Sequence, residues 1–174
     1  MFRIIRKSLK KGRVTGKFPA SEKPVPEISE LLQNKMKSLL RSLAIRAVDT
    51  GSCNGCEMEM TALMNPIYDA ERFGIHISAS PRHADALVVT GPVTFNMERS
   101  LKDVYRMTPD PKVVIALGDC ALNCGIFKGS YAVTGPVERH IPVDFKIPGC
   151  PPRPGEILEA LSSLLGRKIG ISRD

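Results

Sequence analysis

The chain has 174 residues, 43% hydrophobic and 25% charged, a globular composition for which wholesale disorder is not expected. That is one domain, or one domain with tails, and enough chain to bury a core without disulfide staples. No run approaches the roughly 20 consecutive apolar residues of a membrane-spanning helix. No apolar stretch follows the basic N-terminus as a signal peptide would require. With no Trp and few aromatics, a stacking platform for single-stranded nucleic acid is not expected either. The net charge of +7 belongs to one end: Arg3, Arg6, Lys7, Lys10, Lys11, Arg13 and Lys17 have no acid among them, and the other 18 Lys and Arg are matched by 18 Asp and Glu.

Residues 1–30 read as a basic amphipathic segment (1–17), with Phe2, Ile5 and Leu9 at near-helical spacing, and a polar linker bearing Pro19, Pro24 and Pro26. Such a segment suits an anionic membrane surface, each nearby Lys or Arg adding about 1 kcal/mol. A solvated arm and a contact with an acidic protein partner are the competing readings. Residues 31–174 are assigned to the folded domain, with an amphipathic helix over 28–42 at its entrance. Beyond residue 44 the pattern alternates. Strands are expected at Ile45–Val48, Ile75–Ala79, Ala86–Thr90, Lys112–Leu117 and Val143–Ile147. Helices are expected at Glu57–Met64, from Pro66 through Arg72, from a cap at Thr94 or Asn96 to Met107, and at Glu156–Leu165 before Gly166. Strands alternating with helices imply a parallel sheet covered on both faces, an open α/β domain.

Five cysteines without an export signal argue against a disulfide framework and for metal or redox chemistry. Each falls just after an expected strand: Cys53 and Cys56 after the first, Cys120 and Cys124 after Lys112–Leu117, Cys150 after Ile147. In open α/β sheets the functional site lies outside the carboxyl ends of the strands, so three loops deliver thiols to one edge. Zinc and iron–sulfur clusters both take four cysteines. Structural zinc sites draw on close-spaced pairs, whereas this dispersed set suits a cluster at the rim of a preformed sheet. A thioredoxin-like pair at Cys53–Cys56 is a third reading, but it leaves Cys120 and Cys150 without a role.

The blocks Gly51-Ser-Cys-Asn-Gly-Cys-Glu57, Tyr68-Asp-Ala-Glu-Arg-Phe-Gly74, Ser80-Pro-Arg-His-Ala-Asp85, Met107-Thr-Pro-Asp-Pro-Lys112, Gly118-Asp-Cys120, Ile141-Pro-Val-Asp144 and Ile147-Pro-Gly-Cys-Pro-Pro152 carry a resemblance. From about Val48 to Leu165 the chain resembles the 20-kDa (B-type) subunit of respiratory complex I and the small subunit of group 4 membrane-bound [NiFe] hydrogenases. The resemblance implies a flavodoxin-like open parallel sheet with helices on both faces, carrying one [4Fe–4S] cluster on Cys53, Cys56, Cys120 and Cys150. Cys124 stands where family members usually have Gly and is expected to be a non-ligand. The Cys-x-x-Cys spacing is similar to the hydrogenase branch, complex I members having adjacent cysteines. The implied role is an electron relay to a large catalytic subunit (NiFe or complex I D-type), fed by a ferredoxin-like iron–sulfur subunit. Membrane subunits of an ion-translocating complex would hold it at the cytoplasmic face of the cell membrane. Nickel-free relatives acting on quinone or sulfur compounds are the alternative, and a zinc-stabilised interaction module is the alternative of another class.

No residue is expected to act on substrate directly. Glu57 and Glu59 are candidates for a proton role, or simply favour the helix N-terminus. Arg82 and His83 are candidates for tuning the cluster: a fixed positive charge favours the reduced state, and a histidine couples proton to electron uptake. A surface salt bridge from Arg82 to Asp85 is the plainer reading. Met58, Met60 and Met64 are read as packing, with a quinone pocket as the alternative.

Overall fold

The computed structural model describes residues 42–167. The segment of 1–30 and the helix expected over 28–42 lie outside the described residues, apart from Ser42. Five parallel strands form the main sheet: β1 (Leu43–Asp49), β2 (Ile75–Ile77), β3 (Ala86–Thr90), β5 (Val113–Leu117) and β7 (Phe145–Ile147), in the order β2-β1-β3-β5-β7. A second, antiparallel pair joins β4 (Val93–Thr94) to β6 (Val133–Gly135). The helices are α1 (Gly55–Ala62), α2 (Phe95–Met107), α3 (Asp119–Asn123) and α4 (Pro154–Leu164). This is the flavodoxin-like doubly wound order, with its switch point between β1 and β3.

The central strands β3 and β5 are buried along their whole length, because side chains alternate between two covered faces. Ala86, Val88, Val113, Ile115 and Leu117 meet α1 and α4 through Met60, Ile157, Leu158 and Leu161. Leu87, Val89, Val114 and Ala116 face the opposite way, toward Leu101 of α2 and Ala121 of α3. Two of the motif blocks owe their aspartates to this sheet. Asp85 donates its backbone N–H to the carbonyl of Ala44 (2.8 Å) and accepts from Ala44 N through Oδ2 (2.9 Å). Asp144 does the same to Val114, at 2.9 Å for both bonds. Each carboxylate supplies the acceptor that a strand lacks where its neighbour has not yet begun, so the ladder starts without a bare N–H.

The sequence expectation for Ala86–Thr90 matches the observed strand residue for residue. The helix expected from Pro66 is not there. Asn65 Oδ1 takes the N–H groups of Ile67 and Tyr68, Asp69 turns left-handed (φ +46°), and only a 3-10 turn at Ala70–Phe73 follows. An Asx turn competes with helix for the same donors and wins. Replacing Asp85 with Ala should lower unfolding free energy by about 1–3 kcal/mol, the cost of stranding the Ala44 N–H, read from the midpoint of urea denaturation.

Candidate metal centre

The cysteine loops all leave the carboxyl edge of the sheet. After β1, Asp49 Oδ1 accepts from the backbone N–H groups of Gly51 and Ser52, both at 2.8 Å. Asn54 then adopts the left-handed conformation (φ +67°) and α1 begins at Gly55, so Cys53 precedes the helix and Cys56 lies in its first turn. After β5, Gly118 leads into α3, which carries Cys120. After β7 come Gly149 and Cys150, with a cis peptide to Pro151.

The Cys120 and Cys150 loops are stitched to each other, and the loop after β1 to the end of β3. Asp119 donates its N–H to Gly149 O (2.8 Å) and accepts from Gly149 N through Oδ1 (2.8 Å), so the Cys120 and Cys150 loops share a two-bond clasp. Gly118 N donates to Ile147 O at 2.8 Å. Thr50 Oγ1 donates toward the carbonyls of Thr90, Gly91 and Pro92, while Thr94 returns two bonds to Thr50 O. Thr94 is the residue preceding α2, as one of the two expected caps, yet its hydroxyl serves this junction rather than the helix.

Two glycines leave room for sulfur. A Cβ on Gly118 (φ +87°) would stand 2.6 Å from Cys56 Sγ, and one on Gly125 (φ +44°) 2.9 Å from Cys120 Sγ. Both are closer than atoms tolerate, and both backbone angles suit glycine. The backbone of Gly55 runs against Cys53 Sγ and the ring of Pro151, which joins the first and third loops.

The electrostatics separate the five thiols into four and one. Burial raises Cys56 from an ordinary 9.0 to about 12, with further upward pushes from Glu57, Cys120, Cys53 and Cys150. Cys120 is raised first by burial, then by Cys150 and Cys53, against a stabilising N–H from Ile126. Cys53 and Cys150 thus lie near enough to act on both Cys56 and Cys120. Cys124 does not belong to this group: burial raises it and Lys128 lowers it. It sits at a left-handed helix end (φ +68°), where glycine is the favoured residue.

Four thiols on three loops at one edge of the sheet are a donor set for a cationic centre, which must displace their protons on binding. Among the described residues no three His, Cys, Asp or Glu close to the spacing of a single metal ion.

The remaining candidates fall in different places. Glu57 lies at the centre, its Oε1 accepting from Ser52 Oγ (2.7 Å) and bonded to Thr90 Oγ1. Glu59 is half-buried on α1, about 200° of helix rotation from Glu57. Arg82 and His83 are exposed on the 3-10 turn before β3, at the amino edge of the sheet. Five residues of strand, about 16 Å, separate that edge from the cysteine loops, so the structure does not bring them to the thiols. Asp85 gives its carboxylate to Ala44 N. Of the methionines, Met60 is core, Met64 packs against it, and Met58 is exposed. Sequence reading passed over Asp119, Ser52 and Thr90 as site residues. A polar residue at the end of a buried strand was the available signal for Thr90, and the Gly-Asp-Cys order for Asp119.

In the metal-free protein, iodoacetamide should modify exposed Cys53 and Cys150 well before Cys56, Cys120 and Cys124, read by peptide mass spectrometry at pH 8. The raised Cys56 also fixes a sign. Between pH 9 and about 12 the unfolded chain gives up that thiol proton and the folded chain keeps it. Metal-free stability should therefore fall as pH rises through this window.

Residues 53–164 match the family described as the NADH ubiquinone oxidoreductase 20 Kd subunit. Over 125 residues the chain is 50% identical to the probable membrane-bound hydrogenase subunit mbhJ of Pyrococcus furiosus, covering 72% of this chain and 75% of that one. It is 43% identical to formate hydrogenlyase subunit 7 of Escherichia coli K12, over 82% of this chain and 58% of that protein. A solved chain of the membrane-bound sulfane sulfur reductase, an archaeal respiratory membrane complex, is similar in structure. Its TM-score is 0.65 and its identity 37%, with 77% of this chain and 74% of that chain covered.

Proposed function

The chain belongs to the family of the 20 Kd subunit of NADH ubiquinone oxidoreductase, and from that premise we propose that it is an electron-relay subunit of a membrane-associated oxidoreductase complex. Cys53, Cys56, Cys120 and Cys150 would hold one [4Fe–4S] cluster, which supplies one-electron transfer when bound. The observation that carries this reading is the delivery of those four cysteines to one edge of a parallel sheet, on three loops that follow β1, β5 and β7. The chain's own contribution is to bring the ligands together, to exclude Cys124, and to keep Cβ atoms away from the sulfurs at Gly118 and Gly125. No helix of the described residues is long and apolar enough to cross a membrane, which fits a peripheral subunit. In the proposed complex the chain lies at the cytoplasmic face, takes electrons from a ferredoxin-like subunit and passes them to a large catalytic subunit. The basic segment within residues 1–30 would then contact the membrane or the membrane subunits.

The finer reading is a group 4 [NiFe] hydrogenase, supported by the Cys53-x-x-Cys56 spacing and by the hydrogenase and hydrogenlyase names of two relatives. A nickel-free complex acting on sulfur compounds is the second reading, favoured by the likeness to the sulfane sulfur reductase chain. Metal analysis of the complex, captured anaerobically by a tag on this subunit, separates them. About one nickel per complex beside abundant iron is the hydrogenase result, and abundant iron without nickel is the other.

Substituting Cys53, Cys56, Cys120 or Cys150 with Ala should abolish the reduced-cluster EPR signal assigned to this chain. Cys124→Ala should keep both signal and iron. Loss of the signal in Cys124→Ala, with its retention in Cys120→Ala, would exchange those two assignments.

A further inference from the structure

The Ser52–Glu57–Thr90 cluster is a polar group at the thiol edge whose geometry the ligand assignment leaves unexplained. Glu57 stands in the first turn of α1, next to Cys56. Its Oε1 takes the hydroxyl of Ser52 (2.7 Å) and is bonded to the hydroxyl of Thr90, the last residue of β3. Ser52 Oγ in turn accepts the N–H of Asn54 at 3.0 Å, between the two cysteines. Through one oxygen, therefore, the carboxylate ties the Cys53–Cys56 loop to the central strand.

The second oxygen behaves differently. Glu57 Oε2 is withdrawn from solvent and has no hydrogen-bond partner among the described residues. An acid serving only to favour a helix N-terminus would keep its charge in water. A carboxylate serving only as a strap would be replaced by an amide without burying a charge. An unsatisfied buried oxygen is costly and calls for a reason beyond packing.

We propose that Glu57 is a positioning residue of the cluster site: Oε1 clamps the Cys53–Cys56 loop to Thr90, and the carboxylate charge beside Cys56 lowers the potential at which the centre accepts an electron. The proposal rests on the relay reading above. A fixed negative charge repels an arriving electron over a few ångströms of poorly screened protein, so its removal favours the reduced state.

The test is an EPR-monitored dithionite titration of the intact complex carrying variants of this subunit, with iron measured on each. Glu57→Gln keeps a carbonyl oxygen for Ser52 and Thr90 and removes the charge. It should retain iron and the wild-type line shape while the midpoint potential rises. Thr90→Val keeps the charge and removes one donor of the clamp, so its line shape should change without the upward shift. Glu57→Ala should show both effects. A wild-type potential in Glu57→Gln overturns the charge role, and a wild-type line shape in Thr90→Val overturns the clamp. If the wild-type complex itself gives no signal from this chain, the relay reading fails and takes this proposal with it. If wild type gives the signal and the variants match it, only the proposal on Glu57 fails.

Discussion

All five strands of the main sheet run the same way, and this constraint decides where chemistry can happen. Parallel strands deliver every following loop to one edge, so residues as far apart as Cys53 and Cys150 arrive at one place without any long-range design of the loops. The same rule sends Arg82 and His83, which precede a strand, to the other edge. What the loops add is mutual support. The clasp between Asp119 and Gly149 joins the loops after β5 and β7, and the bonds from Thr50 join the loop after β1 to the end of β3.

Burial first, and neighbouring charges after it, raise Cys56 and Cys120, so a cationic centre held as proposed would have to displace their protons on binding. Glycine at 118 and 125 gives the sulfurs space, at the expense of two positions where a side chain could have stiffened the turn. Each face of the sheet has its own apolar cluster beneath its own helices, and Cys56 packs against one of them.

Much of this was legible in the sequence because buried parallel strands are short, β-branched and bounded by glycine or proline, as Ala86–Thr90 and Lys112–Leu117 are. The position of each cysteine relative to its strand was legible for the same reason. What escaped was short or side-chain driven. The helix at Asp119–Asn123 has five residues, too few to display a period. The β4–β6 pair has two and three residues and is pinned by Thr134 Oγ1 donating to Val93 O, a contact across 41 positions that no local pattern reveals. The false helix after Pro66 shows the converse: Asn65 redirects two backbone donors that periodicity alone would assign to a helix. The resemblance to the family, and no local pattern, carried the expected ligand set and the expectation that Cys124 lies outside it.

The central claim is that four thiols from three loops hold a single polynuclear iron centre. Iron and acid-labile sulfide, counted per chain on anaerobically purified protein reconstituted with both, test it most directly. The account predicts about four of each, in a brown protein that bleaches with dithionite. One zinc per chain with no labile sulfide, in a colourless protein, would contradict it.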